Sequence, residues 1–280
     1  NINNKYESKL DKTLSEKLNV DKDNIVFFKT ELDALRKIIT IFTTKYSNIF
    51  CIYPNNEYIE VLSNELKLGL KFTTYKVVDK SIQPDYSHII NNINDKNKII
   101  YLASPNLLTG QSIQEKEFEE FLNKIPDNII IIINQSMVDF VDDNNQSYLN
   151  PLKYLNKNVL VIRNFSNFYG FENLELSYVV ASKDIAKILD DSNIIQNQLD
   201  TFNENLAIEC LNDVENNTKI RKKMTDEKNR IYKLLDESNM ENFKSDTYYL
   251  LINPKKDKIN SITNIDFNPS TTSLSNSLNT

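Results

Sequence analysis

Leu10, Leu14 and Leu18 recur every fourth position through residues 6–20 with charged side chains between them, and Asn19 supplies a stop. That spacing predicts an amphipathic helix. An apolar run at 25–28 follows, after which Thr30 stands where it would cap a helix carrying Leu32, Leu35, Ile38, Ile39 and Phe42 on one face. The alternation continues, with strands expected over 49–53, 71–77, 98–103 and 129–134 and helices over 58–68, 86–93 and 114–123. Residues 129–133 are consecutive isoleucines, and such continuous hydrophobicity suits a central strand covered on both faces. Repeated strand-helix winding predicts an α/β fold with a mostly parallel sheet covered by helices.

Beyond Asn134 the pattern loosens. Residues 141–151 are polar and read as a loop, 159–162 and 174–181 as strands, and 184–189 and most of 194–238 as helix. The charge-dense stretch 219–230 reads as the solvated face of a long helix. A strand over 247–252 would belong to a reduced α+β C-terminal domain, and 268–280, rich in Ser, Thr and Asn, has no apolar period and reads as a disordered tail. The expected organisation is a large domain over 1–190, connecting helices and the small domain over 191–267, and the tail.

Composition narrows the function classes. The 33 basic and 39 acidic residues give a net charge of −6 and are spread along the chain, so neither nucleic acid nor membrane is indicated as a partner. The apolar runs fall far below the ~18–20 residues of a spanning helix, and no secretory pattern precedes Tyr6, so the expectation is a cytoplasmic protein. Cys51 and Cys210 are isolated, which argues against a disulfide framework or a zinc site. Only three glycines occur in 280 residues, which fits an AT-rich coding sequence and fits equally the loss of phosphate-cradling loops. His88 has no serine or cysteine motif around it and reads as structural, while Asp142-Asp143 and Asp190-Asp191 read as solvated or capping acids.

The candidate chemistry lies at strand ends, where open α/β sheets bind ligands. Residues 104–110 read Ser-Pro-Asn-Leu-Leu-Thr-Gly, the 129–134 strand runs into Asn134-Gln135-Ser136-Met137, and Arg163-Asn164-Phe165-Ser166-Asn167-Phe168-Tyr169-Gly170-Phe171 leaves the 159–162 strand. In this order, over roughly residues 6–252, the segments resemble fold-type-I, pyridoxal-phosphate-dependent aminotransferases of class I/II, closest to the histidinol-phosphate aminotransferase branch. The resemblance places Asn167 where the family's lysine holds the cofactor as a Schiff base, and an amide nitrogen is not nucleophilic. It places Glu175 where an arginine clamps the cofactor phosphate. Tyr6 matches a tyrosine that reaches across the family's dimer to the other subunit's phosphate. Thr30 is the hydroxyl left in the 28–33 loop, where the family supplies glycine and small hydroxyl groups. Asn56 stands for the aromatic residue stacked on the pyridine ring, Leu107 for an asparagine on the phenolic oxygen, Asn134 for the aspartate paired with the ring nitrogen, and Met137 for a tyrosine. Ser166 keeps a phosphate-binding hydroxyl, and the late arginine for the substrate carboxylate has no match in 253–280.

The resemblance therefore implies a pyridoxal-phosphate-dependent transferase-like large domain acting as a pseudoenzyme. No catalytic residue and no cofactor are expected, although the family's cofactor is pyridoxal 5'-phosphate, and Tyr6, Thr30, Asn134 and Ser166 would be vestigial contacts to it. The family builds its sites at a dimer interface, which implies a homodimer or a heterodimer with an active paralogue, with the Leu10, Leu14, Leu18 stripe covering apolar surface there. Two rival readings are a working aminotransferase acting on an amino acid or amino-alcohol phosphate, which would need a lysine near Ser166 and Asn134, and a small-ligand-binding protein using the emptied cleft.

Overall fold

The computed structural model describes residues 8–53, 58–78, 81–141, 148–170, 176–191 and 201–253. Helix α1 (Lys9–Leu18) begins at Ser8, whose Oγ accepts from the Leu10 and Asp11 amides, and ends at Asn19 in the left-handed region. Then come β1 (Ile25–Phe28), α2 (Glu31–Phe42), β2 (Asn48–Ile52), α3 (Tyr58–Leu66), β3 (Gly69–Thr73), β4 (Tyr75–Val78), β5 (Ser81–Pro84), α4 (Tyr86–Asn92), β6 (Asn97–Ala103), α5 (Glu115–Leu122) and β7 (Ile130–Asn134). The rest comprises β8 (Val159–Asn164), β9 (Ser177–Val180), α6 (Lys183–Asp191), α7 (Thr201–Asn212), α8 (Val214–Glu237), β10 (Glu241–Phe243) and β11 (Leu251–Asn253).

Seven strands form one sheet in the order β1-β9-β8-β7-β6-β2-β3, parallel from β8 to β3, with β9 antiparallel to both its neighbours. The isoleucine strand β7 is central and buried throughout, as its unbroken hydrophobicity requires. Alternate side chains feed two cores. Ile130 and Ile132 pack with Leu35 and Ile38 of α2, Leu62 of α3 and Leu189 of α6. Ile131 and Ile133 pack with Leu10 and Leu14 of α1, Phe118 of α5 and Leu211 of α7.

Four sequence expectations change. The strand expected over 71–77 is two, because the chain turns at Thr74: β3 stays on the sheet edge while β4 pairs antiparallel with β5, a strand that the pattern did not signal. The strand expected over 247–252 is limited to β11, paired with β10, because the preceding residues dock elsewhere. Ser245 Oγ donates to the Gly110 carbonyl at 3.2 Å, the Asp246 amide donates to the same oxygen at 2.7 Å, and the Ser112 amide donates to Asp246 Oδ2. Gly110 has φ +71°, and a Cβ there would lie 2.1 Å from Ser245 Oγ, so this position requires glycine. The charged stretch of α8 is not wholly solvated: Arg221 donates to the Asp139 carbonyl and lies over Phe168, and Lys228 donates to the Ser245 carbonyl. Lastly, Leu10 and Leu14 are fully buried within their own chain, so the stripe finds its apolar cover without a partner. Residues 268–280 lie outside the described residues.

Candidate functional site at the carboxyl ends of the central strands

Strand parity decides which face each polar terminus serves. Ile132 faces α2, so Asn134 at the end of β7 does too, and Ile162 sets Asn164 on the same face at the end of β8. Helix α2 starts opposite them because Thr30 caps it. The Thr30 hydroxyl accepts from the Asp33 amide at 3.1 Å and donates to Asp33 Oδ2 at 2.7 Å, so the expected phosphate donor is occupied with capping. The first residue of the helix is Glu31, 9% exposed, and its carboxylate enters the crevice.

Glu31 Oε1 accepts from Asn134 Nδ2 at 2.5 Å and Oε2 accepts from Asn164 Nδ2 at 3.3 Å. Asn134 Nδ2 also donates to the Tyr101 hydroxyl at 2.8 Å. Both amides are oriented from behind, since Asn134 Oδ1 accepts from the Ser136 amide at 2.8 Å and Asn164 Oδ1 from the Ser166 amide at 3.2 Å. Burial pushes the Glu31 carboxyl up to about 7 against the opposing pull of the two amide bonds. Burial and then the Glu31 charge hold the Tyr101 phenol far above its ordinary range. Asn167 is exposed on the turn after β8 and donates through Nδ2 to the Ser136 carbonyl at 3.1 Å. Ser166 is half-buried beside it. Tyr6, Asn56, Glu175 and the Asp142-Asp143 pair lie outside the described residues.

The other face carries Gln135 and Arg163. Gln135 Oε1 accepts from Arg163 Nε at 3.0 Å and Nη2 at 2.7 Å, which leaves the buried Gln135 Nε2 without a hydrogen-bond partner among the described residues. Asp139 nearby is raised by burial, with Arg163, Lys17 and Arg221 pulling it back, and it accepts from the Tyr169 hydroxyl at 3.5 Å. Above both layers sits an apolar cluster of Met137, Phe140 and Phe168, joined by Leu107, Tyr169 and, from α8, Ile220 and Met224. Phe140 packs edge-on against both Phe168 and Tyr248. A separate cavity of about 530 Å³ lies between α7 and α8 beyond Tyr169, lined by Leu206, Cys210, Asn217 and Ile220 among others. His88 is exposed and lies edge-on against Phe50. Asp190 and Asp191 are the last two described residues of α6.

The structure thus brings together Thr30, Asn134, Ser166 and Asn167 and adds Glu31, Asn164 and Tyr101, which the sequence reading passed over. Glu31 was hidden as one more acid in the first turn of a capped helix. Nothing in a linear pattern tells which end of the sheet that turn faces.

The chain matches the family Aminotransferase class I and II over residues 2–275. It is similar to the histidinol-phosphate aminotransferase of Caldicellulosiruptor saccharolyticus, at 24% identity over 253 residues, covering 88% of this chain and 67% of the relative. With histidinol-phosphate aminotransferase 2 of Haemophilus influenzae it shares 26% identity over 183 residues, 65% of this chain and about half (48%) of the relative. Among solved structures, histidinol-phosphate aminotransferase from Sinorhizobium meliloti in complex with pyridoxal-5'-phosphate superposes with a TM-score of 0.78 at 18% identity, covering 94% of this chain and 70% of that one. Cystalysin from Treponema denticola, which contains the same cofactor, gives 0.76 at 12% identity over 87% of this chain and 66% of that one. No helix among the described residues is long and apolar enough to cross a membrane. With nearly its whole length matched and its sheet shared, the chain belongs to the class I and II aminotransferases and has the fold of the pyridoxal-phosphate-dependent transferases.

Proposed function

We propose that this protein is a pseudoenzyme of the histidinol-phosphate aminotransferase branch, which does not transaminate and serves as a structural or regulatory subunit. The observation that carries this reading is the buried Glu31 carboxylate held by Asn134 and Asn164 at the carboxyl ends of β7 and β8. Pyridoxal 5'-phosphate does not fit these side chains. Asn167 offers an amide where a Schiff base needs an amine. A phosphate brought to about 4 Å from the Glu31 carboxylate would be repelled by about 4 kcal/mol per pair of unit charges at an effective dielectric of ~20. Leu107 and Met137, at two positions of family cofactor contacts, are packed into the apolar cluster with Phe168. The same filling counts against an emptied cleft awaiting another small ligand.

Titration of the purified protein with pyridoxal 5'-phosphate tests the reading. The expected result is no aldimine absorption band and no lysine labelled after borohydride treatment; a borohydride-sensitive band on one lysine would return the chain to the enzymes. As a subunit it would pair with itself or with an active paralogue. That proposal rests on Tyr6, since the α1 leucines are buried in their own chain, and a clean monomer by light scattering at micromolar concentration, with no co-purifying paralogue, would remove it.

A further inference from the structure

We infer that Glu31 is a built-in anion: its carboxylate occupies the place, between the N-terminus of α2 and the ends of β7 and β8, where a phosphate-bearing ligand would sit, and Asn134 and Asn164 are its clamp. This rests on the functional reading above and deepens it by naming the residue that shuts phosphate out.

Three observations support it. Helix α2 runs twelve residues, so its N-terminus favours negative charge, and Glu31 is the first residue of that helix. The carboxylate lies in the crevice beyond the strand ends and not on the helix's solvent side, as its burial and its bonds to both strand termini establish. The clamp is also directional. Asn134 Oδ1 is fixed by the Ser136 amide and Asn164 Oδ1 by the Ser166 amide, so both Nδ2 groups must point at Glu31. Neither amide can turn its oxygen inward without stranding a backbone N–H. The same geometry couples the two positions: an aspartate at 134 would set a second carboxylate oxygen at the 2.5 Å contact, so Glu31 requires an amide there.

Inorganic phosphate is the probe, followed by calorimetry and thermal shift at pH 8 on the full chain, wild type against Glu31→Ser. The variant should bind phosphate at least about tenfold more tightly than wild type, the scale expected from removing one nearby charge. Equal affinity, or no gain in the variant, overturns the proposal. If Glu31→Ser fails to fold, Glu31→Gln keeps the shape and should gain in the same direction. A second arm needs no ligand: Asn134→Asp should lower the melting temperature by about 5 °C or more in wild type and by much less in the Glu31→Gln background. Equal losses in both backgrounds overturn the coupling. Loss of the phosphate effect with no aldimine in wild type would sink this inference alone, whereas an aldimine in wild type would sink the functional reading itself.

Discussion

Glu204 and Glu31 are the two buried glutamates of the described residues, and each meets the start of a helix, yet their partners differ in kind. Glu204 reaches from α7 to the first turn of α1, where its Oε1 accepts from the Ser8 hydroxyl at 2.6 Å and the Leu10 amide at 3.2 Å. The amide is one of the free N–H groups that the start of any helix must satisfy, and the hydroxyl belongs to the residue that caps it. Glu31 is met by two side-chain amides at the ligand-binding end of the sheet, neither of which the backbone demands. One carboxylate is a joint between helices. The other, on the reading proposed above, holds a place at the crevice through the identity of its partners.

The comparison breaks most visibly at the joint. Glu204→Ala should strand the Ser8 hydroxyl, leave the Leu10 amide with Ser8 Oγ as its remaining acceptor, and cost about 3 kcal/mol in urea unfolding, with faster amide exchange at the start of α1. A loss below about 1 kcal/mol would mean that water replaces the carboxylate and that the joint is ornamental.

Glu31→Gln sharpens the other half through pH. The folded carboxyl titrates at about 7 against 4.5 ordinarily, so the folded state holds its proton more tightly than the unfolded one. Stability from this group is therefore full below pH 4.5, falls as pH rises towards 7 and is lost above it, by about 3 kcal/mol in all. Glutamine does not titrate. Relative to wild type, the variant should gain roughly that amount between pH 4.5 and pH 8, a difference read from paired denaturation curves. Parallel curves would show that Glu31 is solvated and not a captive charge. The smallest effect is expected from Thr30→Ala, which removes the α2 cap for about 1 kcal/mol. Because that hydroxyl bonds only within its own turn, phosphate binding by the Glu31→Ser protein should survive the added change.

Much of the frame was legible in the sequence because its signals are local. The isoleucines of 129–133 declare a strand covered on both faces, Thr30 and Asn19 mark helix ends by their own chemistry, and parity along β7 and β8 follows from the alternation of a strand. What escaped depends on contacts between distant residues. The turn at Thr74 carries no glycine or proline to announce it. Thr247 sits in a polar run, S-D-T-Y-Y, yet is fully buried because Gly110 leaves room for that run to dock. The leucines of α1 read as awaiting a partner because α7, which covers them, lies almost two hundred residues away. At the site, the departures from the family pattern at 134 and 167 were visible in the sequence, while Glu31, which accepts from Asn134 and Asn164, was not.

The bond between Ser8 and Glu204 spans 196 residues, and this sets a clock on synthesis. At ~5–20 residues per second, a ribosome needs on the order of 10–40 s to reach the glutamate after making the serine. Throughout that interval the start of α1 has no carboxylate to complete it, and Leu10 and Leu14 lack the α7 surface that covers them in the finished chain. The first helix of the described fold is therefore among the last to settle, and a nascent chain stalled before α7 would present an apolar stripe to whatever chaperone attends it.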